Sequence, residues 1–233
     1  GVQLAPGGGL TLTGALVVDG GTVKLDGNYP VGTGNVALGD TALDSVEAGG
    51  TCNVAIGHHA GTAITTGDDN TAIGALSLDA NTTGSKNTAV GHLSLSSNTE
   101  GLENTGLGRS ALFTNTTGDN NVAVGRLSLF SNTTADNNTA LGYQSLCANT
   151  TGCRNVSVGT SALKSNTTAI YNTAVGYNAL CTNITGTSNS AVGALTLDAA
   201  TTGSYNSGLG YASLSVLTTG TFNVASGYIA GNG

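Results

Sequence analysis

The stretch NTAIGALSLDANTTGSK, residues 70–86, is one copy of a 17-residue unit that fills most of this chain. An asparagine opens each copy, and a glycine follows it four positions later. The spacing between opening asparagines is 17 throughout, except that the first unit carries one extra residue. A fixed short period predicts a stacked, one-dimensional architecture rather than a globular one. The opening asparagines are Asn35, Asn53, Asn70, Asn87, Asn104, Asn121, Asn138, Asn155, Asn172, Asn189, Asn206 and Asn223.

The composition excludes several classes of protein. Charged residues make up 8% of the 233 residues and aromatic residues 4%, and Met and Trp are absent, whereas a globular core uses more large side chains. The net charge is −7 and no basic patch occurs, which argues against nucleic-acid binding. No run of 18 apolar residues is present, so we expect no membrane span. Because the chain begins at Gly1 without Met, we expect it to be part of a longer protein.

Each segment of the unit predicts a local structure. Thr-Ala-Val, as at 88–90, is typical of a short strand in which β-branched residues alternate across a small one. The next glycine predicts a corner with positive φ or a close backbone approach. The Ala-Leu stretch that follows is compatible with one helical turn or with a second short strand. Asn-Thr-Thr-Gly, as at 115–118, predicts a turn with its glycine in the left-handed conformation.

The opening asparagines predict a ladder in which each side-chain amide bonds its copy in the next coil. The predicted fold class is therefore all-β: a repetitive β-solenoid or β-roll of about twelve coils over residues 35–233. Residues 1–34 do not repeat and contain both prolines of the chain. Short alternating segments such as 10–13 predict a non-repetitive β cap or connector that covers the open end of the sheet.

A single stack of these units is poor in large side chains. We expect each unit to bury two of them, the aliphatic residue before the corner glycine and the leucine four positions after that glycine. Burial of two side chains offsets only a small part of the conformational entropy that is lost when 17 residues become ordered. Closure around a symmetry axis would supply further apolar contacts, and we therefore predict a homotrimer.

The repeat resembles known fibre proteins. NTAVGYNAL at 172–180, together with Asn-Thr-Thr-Gly turns, is similar to the repeats of phage and giant-virus fibre proteins, and residues 24–39 resemble virion structural proteins of marine cyanobacterial phages. The resemblance covers about residues 22–233, and bacterial surface proteins carry the repeat too. The repeat is also similar in its organisation to the heads of trimeric autotransporter adhesins. The repeat unit of those proteins is shorter than 17 residues, so their left-handed roll applies to this chain only as an analogy.

This resemblance implies a trimeric, elongated virion appendage that holds or presents receptor-binding parts. The implied partners are further copies of the chain, other virion structural proteins and host cell-surface glycans, and the implied location is the virion surface. A bacterial trimeric adhesin head on the cell surface is the nearest alternative. An ice-binding solenoid is a third reading, which the placement of the threonine doublets in a turn disfavours.

The residues show no catalytic or cofactor motif. His58, His59 and His92 have only Asp68 and Asp69 as plausible companions, which is too few for a convincing metal site. The sequence has neither a Gly-x-Ser-x-Gly elbow nor the Lys-Ser/Thr of a phosphate loop. We expect no enzymatic activity, no cofactor and no metal.

One variable column is the candidate surface site. It directly follows the corner glycine, so stacked coils would align its rings and cations in a stripe suited to glycan contact, inter-chain packing or plain solvation. Phe113 and Phe130 occupy a second variable column, where we expect local packing. The candidate stripe residues are His58, His92, Arg109, Arg126, Tyr143, Tyr177, Tyr211 and Tyr228.

Two further features depend on the repeat. Cys147 and Cys153 bracket one Asn-Thr-Thr-Gly turn and form the candidate disulfide pair; we expect the other two cysteines, Cys52 and Cys181, to stay unpaired. The unit also generates eight Asn-x-Ser/Thr sequons automatically, so we expect no glycosylation from their number. The sequons begin at Asn81, Asn115, Asn132, Asn137, Asn149, Asn155, Asn166 and Asn183.

Overall fold

The computed structural model describes residues 32–232, which form a β-solenoid built on one sheet of twelve parallel strands in sequence order. Each strand has three residues, and each coil contributes one strand. The predicted cap lies, as far as residue 31, outside the described residues. The strands are β1 Val36–Leu38, β2 Val54–Ile56, β3 Thr71–Ile73, β4 Thr88–Val90, β5 Thr105–Leu107, β6 Val122–Val124, β7 Thr139–Leu141, β8 Val156–Val158, β9 Thr173–Val175, β10 Ser190–Val192, β11 Ser207–Leu209 and β12 Val224–Ser226.

Equivalent residues of successive coils lie in register. Thr88 of β4 pairs with Thr105 of β5, and the two following residues of each strand pair in the same way. Every other neighbouring pair of strands repeats this arrangement. At the usual strand spacing the stack is roughly 50–60 Å long. The predicted stacked architecture is confirmed.

The strands turn their small residue inwards and their larger residues outwards. Ala89 at the centre of β4 is fully buried, whereas Thr88 and Val90 on either side are only partly covered. The expectation that the aliphatic column is buried is therefore wrong. Because side chains alternate along a strand, burying the alanine necessarily points both of its neighbours outwards.

The interior is filled by the leucine column. Leu112 and Leu129, for example, are fully buried. The Ala-Leu stretch lacks alternation, and its sequence is compatible with a helical turn or with a second short strand. The stretch forms neither, but a run of turns in which leucine itself adopts a left-handed conformation, with φ of 51° and 46° at these two residues. The backbone N–H of Leu93 donates to the previous coil at Ala75 (3.1 Å), while that of Leu95 donates to the next coil at Ala111 (2.9 Å). Bonds to neighbouring coils thus compensate for a conformation that leucine seldom adopts.

The opening asparagines form the predicted ladder. Oδ1 of Asn104 accepts both the backbone N–H of Asn121 (2.9 Å) and its side-chain amide (3.1 Å). Nδ2 of Asn121 also donates to the carbonyl of Ala135 at the end of the same coil (2.7 Å). From Asn35 to Asn206 the ladder side chains are almost completely buried, so they need these partners.

The asparagine of Asn-Thr-Thr-Gly forms a second ladder. Nδ2 of Asn132 donates to Oδ1 of Asn115 in the previous coil (2.8 Å) and to the carbonyl of Ala135 (3.0 Å), the same oxygen that Asn121 reaches. The predicted left-handed glycine at the end of this motif is wrong, because Gly118 has no positive φ. A Cβ at Gly118 would instead come within 2.5 Å of the Ala135 carbonyl. The left-handed residue falls two positions later, at Asn120 (φ 57°).

The corner glycines meet both predicted requirements. Gly91 has φ of 130°, and a Cβ there would lie 2.8 Å from the carbonyl carbon and oxygen of Gly108 in the next coil. The deviations near the first coils compensate one another: Gly61 replaces the core leucine, and Ile64 of the same coil replaces the ladder asparagine and is fully buried. A Cβ at Gly61 would be 2.9 Å from Ile64 Cδ1, so the isoleucine occupies the space that the leucine vacates.

Candidate interaction surface

The outward face of the sheet carries an apolar row along the solenoid. It consists of the aliphatic residue that ends each strand from β1 to β11, and several of its members are more than one-third exposed. An apolar row of this length on a sheet face is typical of a surface that another molecule covers. The most exposed members are Leu209 (53%), Leu38 (47%) and Val192 (40%).

The post-glycine row, the residues directly after the corner glycines, borders one side of this face. It contains the predicted stripe, and two pairs of its neighbouring members are in contact. The guanidinium carbon of Arg126 lies 5.6 Å from the ring centroid of Tyr143, and the rings of Tyr211 and Tyr228 stack with centroids 5.4 Å apart. Tyr177 is 56% exposed between coils that carry Thr160 and Ala194. The role of the row in binding glycans or other chains stays a prediction.

A second row, which the sequence reasoning missed, borders the other side of the face. This pre-asparagine row consists of the residues directly before the ladder asparagines. Each member lies two positions before the first residue of its strand. The guanidinium carbon of Arg154 lies 5.6 Å from the Tyr171 ring centroid, and Nη1 donates to the Tyr171 hydroxyl (3.0 Å). Tyr205 and Phe222 stack with centroids 5.0 Å apart and planes 3° from parallel. The row could have been found from its constant position relative to the ladder asparagine.

The pre-asparagine row is charged towards β3 to β5 and aromatic towards β12. Lys86 Nζ lies 3.4 Å from Glu103 Oε1 on the exposed surface, where such a pair contributes little stability. The row reads Cys52, Asp69, Lys86, Glu103, Asn120, Asn137, Arg154, Tyr171, Ser188, Tyr205 and Phe222.

The column of Phe113 and Phe130 lies elsewhere on the coil, after the core leucine. The two rings stack with centroids 5.2 Å apart and are partly buried, in agreement with the expected local packing. Further along the same column, burial raises the pKa of the Cys147 thiol, an effect that Lys164 partly opposes. Burial also raises the pKa of Cys181, to which the nearby Asp198 carboxylate adds.

The candidate disulfide is not formed. Cys147 and Cys153 are free thiols, as are the other two cysteines. The Cys153 sulfur instead lies 3.6 Å from the carbonyl oxygen of Thr151, to which it donates, and accepts the backbone N–H of Asp136 (3.4 Å). These contacts hold the sulfur against its own turn and the preceding coil.

The histidines do not converge on a metal site. His58 Nε2 lies 3.8 Å from Asp40 Oδ2, and His59 Nδ1 lies 2.9 Å from the Thr41 hydroxyl. Among residues 32–232 no group of three or more His, Cys, Asp or Glu side chains could hold a metal ion. His92 belongs to the post-glycine row, in a coil of its own.

The threonine doublets lie in bends outside the strands, as the sequence predicted. The first threonine uses its hydroxyl internally: Oγ1 of Thr116 donates to the carbonyl of Thr133 in the next coil (3.0 Å), and Thr133 donates to Thr150 in the same way (3.1 Å). The second, as at Thr117, is exposed. Only one hydroxyl of each doublet is therefore directed to solvent without this internal bond, which disfavours the ice-binding reading.

The interior position of the ladders also determines which sequon asparagines are accessible for glycosylation. Six of the eight begin at second-ladder asparagines and one at Asn155 of the first ladder, and all seven are buried. A glycosyltransferase needs an accessible asparagine, and Asn137 in the pre-asparagine row is the sequon asparagine that is exposed.

Within the described residues no helix has the length and hydrophobicity needed to cross a membrane. No family model, no curated protein and no solved structure matches this chain.

Proposed function

We propose that this chain is a rigid shaft segment of an extracellular fibre, of the virion-appendage kind, assembled from three parallel copies. The observation that carries the proposal is the unbroken register of the twelve strands. A stack in continuous register gives the molecule length and stiffness. The resemblance of the repeat to virion fibre proteins supports this assignment.

Stiffness follows from how each coil is bonded to the next. The backbone hydrogen bonds of the sheet, the two buried asparagine ladders and the threonine hydroxyls all include bonds that connect one coil to the next. A coil cannot bend away from its neighbour without breaking several of these bonds together. Buried amide networks of this kind are costly to leave unsatisfied.

The variable rows supply the contacts. Since packing restricts the interior positions, chemical variation along the fibre is concentrated in outward columns such as the post-glycine row. Rings and cations there suit sugars on a host surface or neighbouring virion proteins. The shaft thereby presents, or contributes to, host attachment.

Two measurements test this proposal. Sedimentation equilibrium will give three times the chain mass of 22.7 kDa, and electron microscopy will show rods. Antibodies raised against the purified protein will label projecting fibres on virions that carry the gene product. A folded monomer would contradict the trimer, and labelling of bacterial cell surfaces in place of virions would support the adhesin alternative.

A further inference from the structure

The two bordering rows match in chemistry at five of the twelve strands. At β9, β11 and β12 both rows are aromatic, and at β10, between them, both are small. At β5 one row is acidic and the other basic. These same-coil pairs are Glu103 with Arg109, Tyr171 with Tyr177, Ser188 with Ala194, Tyr205 with Tyr211, and Phe222 with Tyr228.

This agreement has no cause within one chain. The two residues of a same-coil pair are six positions apart, on opposite sides of an extended strand, so at full extension their Cα atoms are roughly 20 Å apart. Within the described part of the chain, no hydrogen bond, ion pair or ring contact joins the two rows of one coil. The contacts that do occur, such as Tyr205 with Phe222, run along a row.

We propose that the post-glycine row of one chain packs on the pre-asparagine row of a second copy, coil against equal coil. This inference rests on the proposed homo-oligomer and names its interface. The chains are parallel and in register, and the apolar row between the two borders faces the axis of the ring. Arg109 then meets Glu103 of the next copy, Tyr177 meets Tyr171, and the small pair at β10 lets the backbones approach closely.

The arrangement is head-to-tail, which closes into a ring. An antiparallel two-fold contact with full overlap would instead bring the aromatic coils at β9, β11 and β12 against β4, β2 and β1. The rings of Phe222 and Tyr228 would then face Asp40, a carboxylate that is costly to desolvate. The matched order therefore favours the parallel ring.

The face is long and narrow. The twelve three-residue strands extend over roughly 50–60 Å at the usual spacing. In a ring each chain divides this face between two neighbours, so each contact is a narrow one that repeats from coil to coil. Side chains of the face are also exposed in coils that have a neighbour on each side, with Tyr177 at 56% and Leu209 at 53%.

The other seven strands carry pairs without such a match. At β4 Lys86 faces His92, and Lys86 lies 3.4 Å from Glu103 along its own row. The neighbouring β3 coil places Asp69 opposite the small Ala75. The unmatched pairs are Gly34 with Asp40, Cys52 with His58, Asp69 with Ala75, Lys86 with His92, Asn120 with Arg126, Asn137 with Tyr143, and Arg154 with Thr160.

Cysteine cross-linking tests the interface in the full chain with its four native cysteines replaced by serine. The paired variant Ser188→Cys/Ala194→Cys will form inter-chain disulfides on oxidation, with covalent trimers as the largest product. A second pair at β7, Asn137→Cys/Tyr143→Cys, tests the same register independently of any folding defect at β10. Circular dichroism confirms that each variant is folded.

The controls fix the register and the symmetry. Asn137→Cys/Ala194→Cys places the thiols three coils apart, about 14 Å along the axis, and will not cross-link. Each single variant will stay uncross-linked, because the ring brings unlike rows together. Self-linking of Ser188→Cys alone would overturn the proposal in favour of a two-fold contact.

The outcome also separates this inference from the proposed fibre. A trimer by sedimentation in which neither in-register pair cross-links would overturn the interface and leave the trimer standing. A folded monomer would overturn both.

Discussion

Asn183 and Ala200 occupy equivalent positions in adjacent coils, and this change of residue type ends the second asparagine ladder. Nδ2 of Asn183 donates to Oδ1 of Asn166 (2.9 Å), but Oδ1 of Asn183 is buried without a hydrogen-bond partner. An alanine cannot supply the donor that the next rung would have provided. The second ladder therefore ends in an unsatisfied buried oxygen.

This relationship predicts unequal costs for two identical substitutions. Asn132→Ala in mid-ladder leaves Oδ1 of Asn115 without its donor, and we expect it to lower the free energy of unfolding by about 2–3 kcal/mol. Asn183→Ala leaves Oδ1 of Asn166 without its donor but removes the unsatisfied oxygen of Asn183, so it should cost about 1 kcal/mol less. Denaturant titration of both variants measures the difference. Equal costs would contradict an energetic role for the unsatisfied oxygen of Asn183.

The two glycine columns should differ in their tolerance of alanine. Gly91→Ala combines an unfavourable φ of 130° with a clash against the Gly108 carbonyl, and we expect a loss of about 3 kcal/mol or more. Gly101→Ala should cost less than this. A Cβ there would also come within 2.6 Å of the Gly118 carbonyl oxygen, but the backbone has no positive φ, and the chain already carries Ala135 and Ala169 in that column. Thermal unfolding of the two variants compares them directly. A Gly101→Ala variant that is the less stable of the two would show that the φ requirement is misassigned.

Leu129 and Leu127 separate burial from backbone strain. Both have a left-handed backbone, with φ of 46° and 60°, but Leu129 is fully buried and Leu127 is partly exposed. We expect Leu129→Ala to cost about 2–5 kcal/mol and Leu127→Ala less than half of that. Denaturant titration gives both values. Comparable losses would mean that Leu129 does not fill the core.

The free thiols predict a reactivity order. Cys52 is exposed and should react first with a disulfide reagent such as DTNB. Burial raises the pKa of Cys147 and of Cys181, which lowers their thiolate fraction at pH 8 and slows their reaction. Since the Lys164 charge lowers the pKa of Cys147, Lys164→Gln should slow that thiol further.

The total thiol count is the control for this reaction. Untreated, denatured protein should contain four reactive thiols before reduction and the same number after it. A higher thiol count after reduction would show that the protein does contain a disulfide, for which Cys147 and Cys153 are the candidates.

The period of the sequence was sufficient to predict the stack, the strand at Thr88–Val90, the corner glycines and the first ladder. These features repeat because each position meets its own copy. The left-handed leucines could not be predicted from propensity, since only bonds to both neighbouring coils stabilise leucine there. The outward aliphatic row was missed because apolar residues were assigned to the core without following the alternation around the buried alanine.

The candidate surface was predicted in part. The post-glycine row follows a glycine present in every coil, which made its alignment visible. The pre-asparagine row has no constant residue of its own, and its agreement with the first row becomes apparent only when the strand between them is known to be extended.

Distances between spin labels along the threonine bends test the stacked register most directly. In a serine-substituted background, Thr83→Cys is paired in turn with Thr151→Cys, Thr185→Cys and Thr219→Cys, all exposed and four, six and eight coils away. Labelled chains are diluted with unlabelled chains so that only distances within one chain are measured. Pulsed electron–electron double resonance should give distances of about 19, 29 and 38 Å between the labels, which rise in proportion to the number of coils. Distances that do not increase with coil number would contradict the solenoid, and with it the fibre.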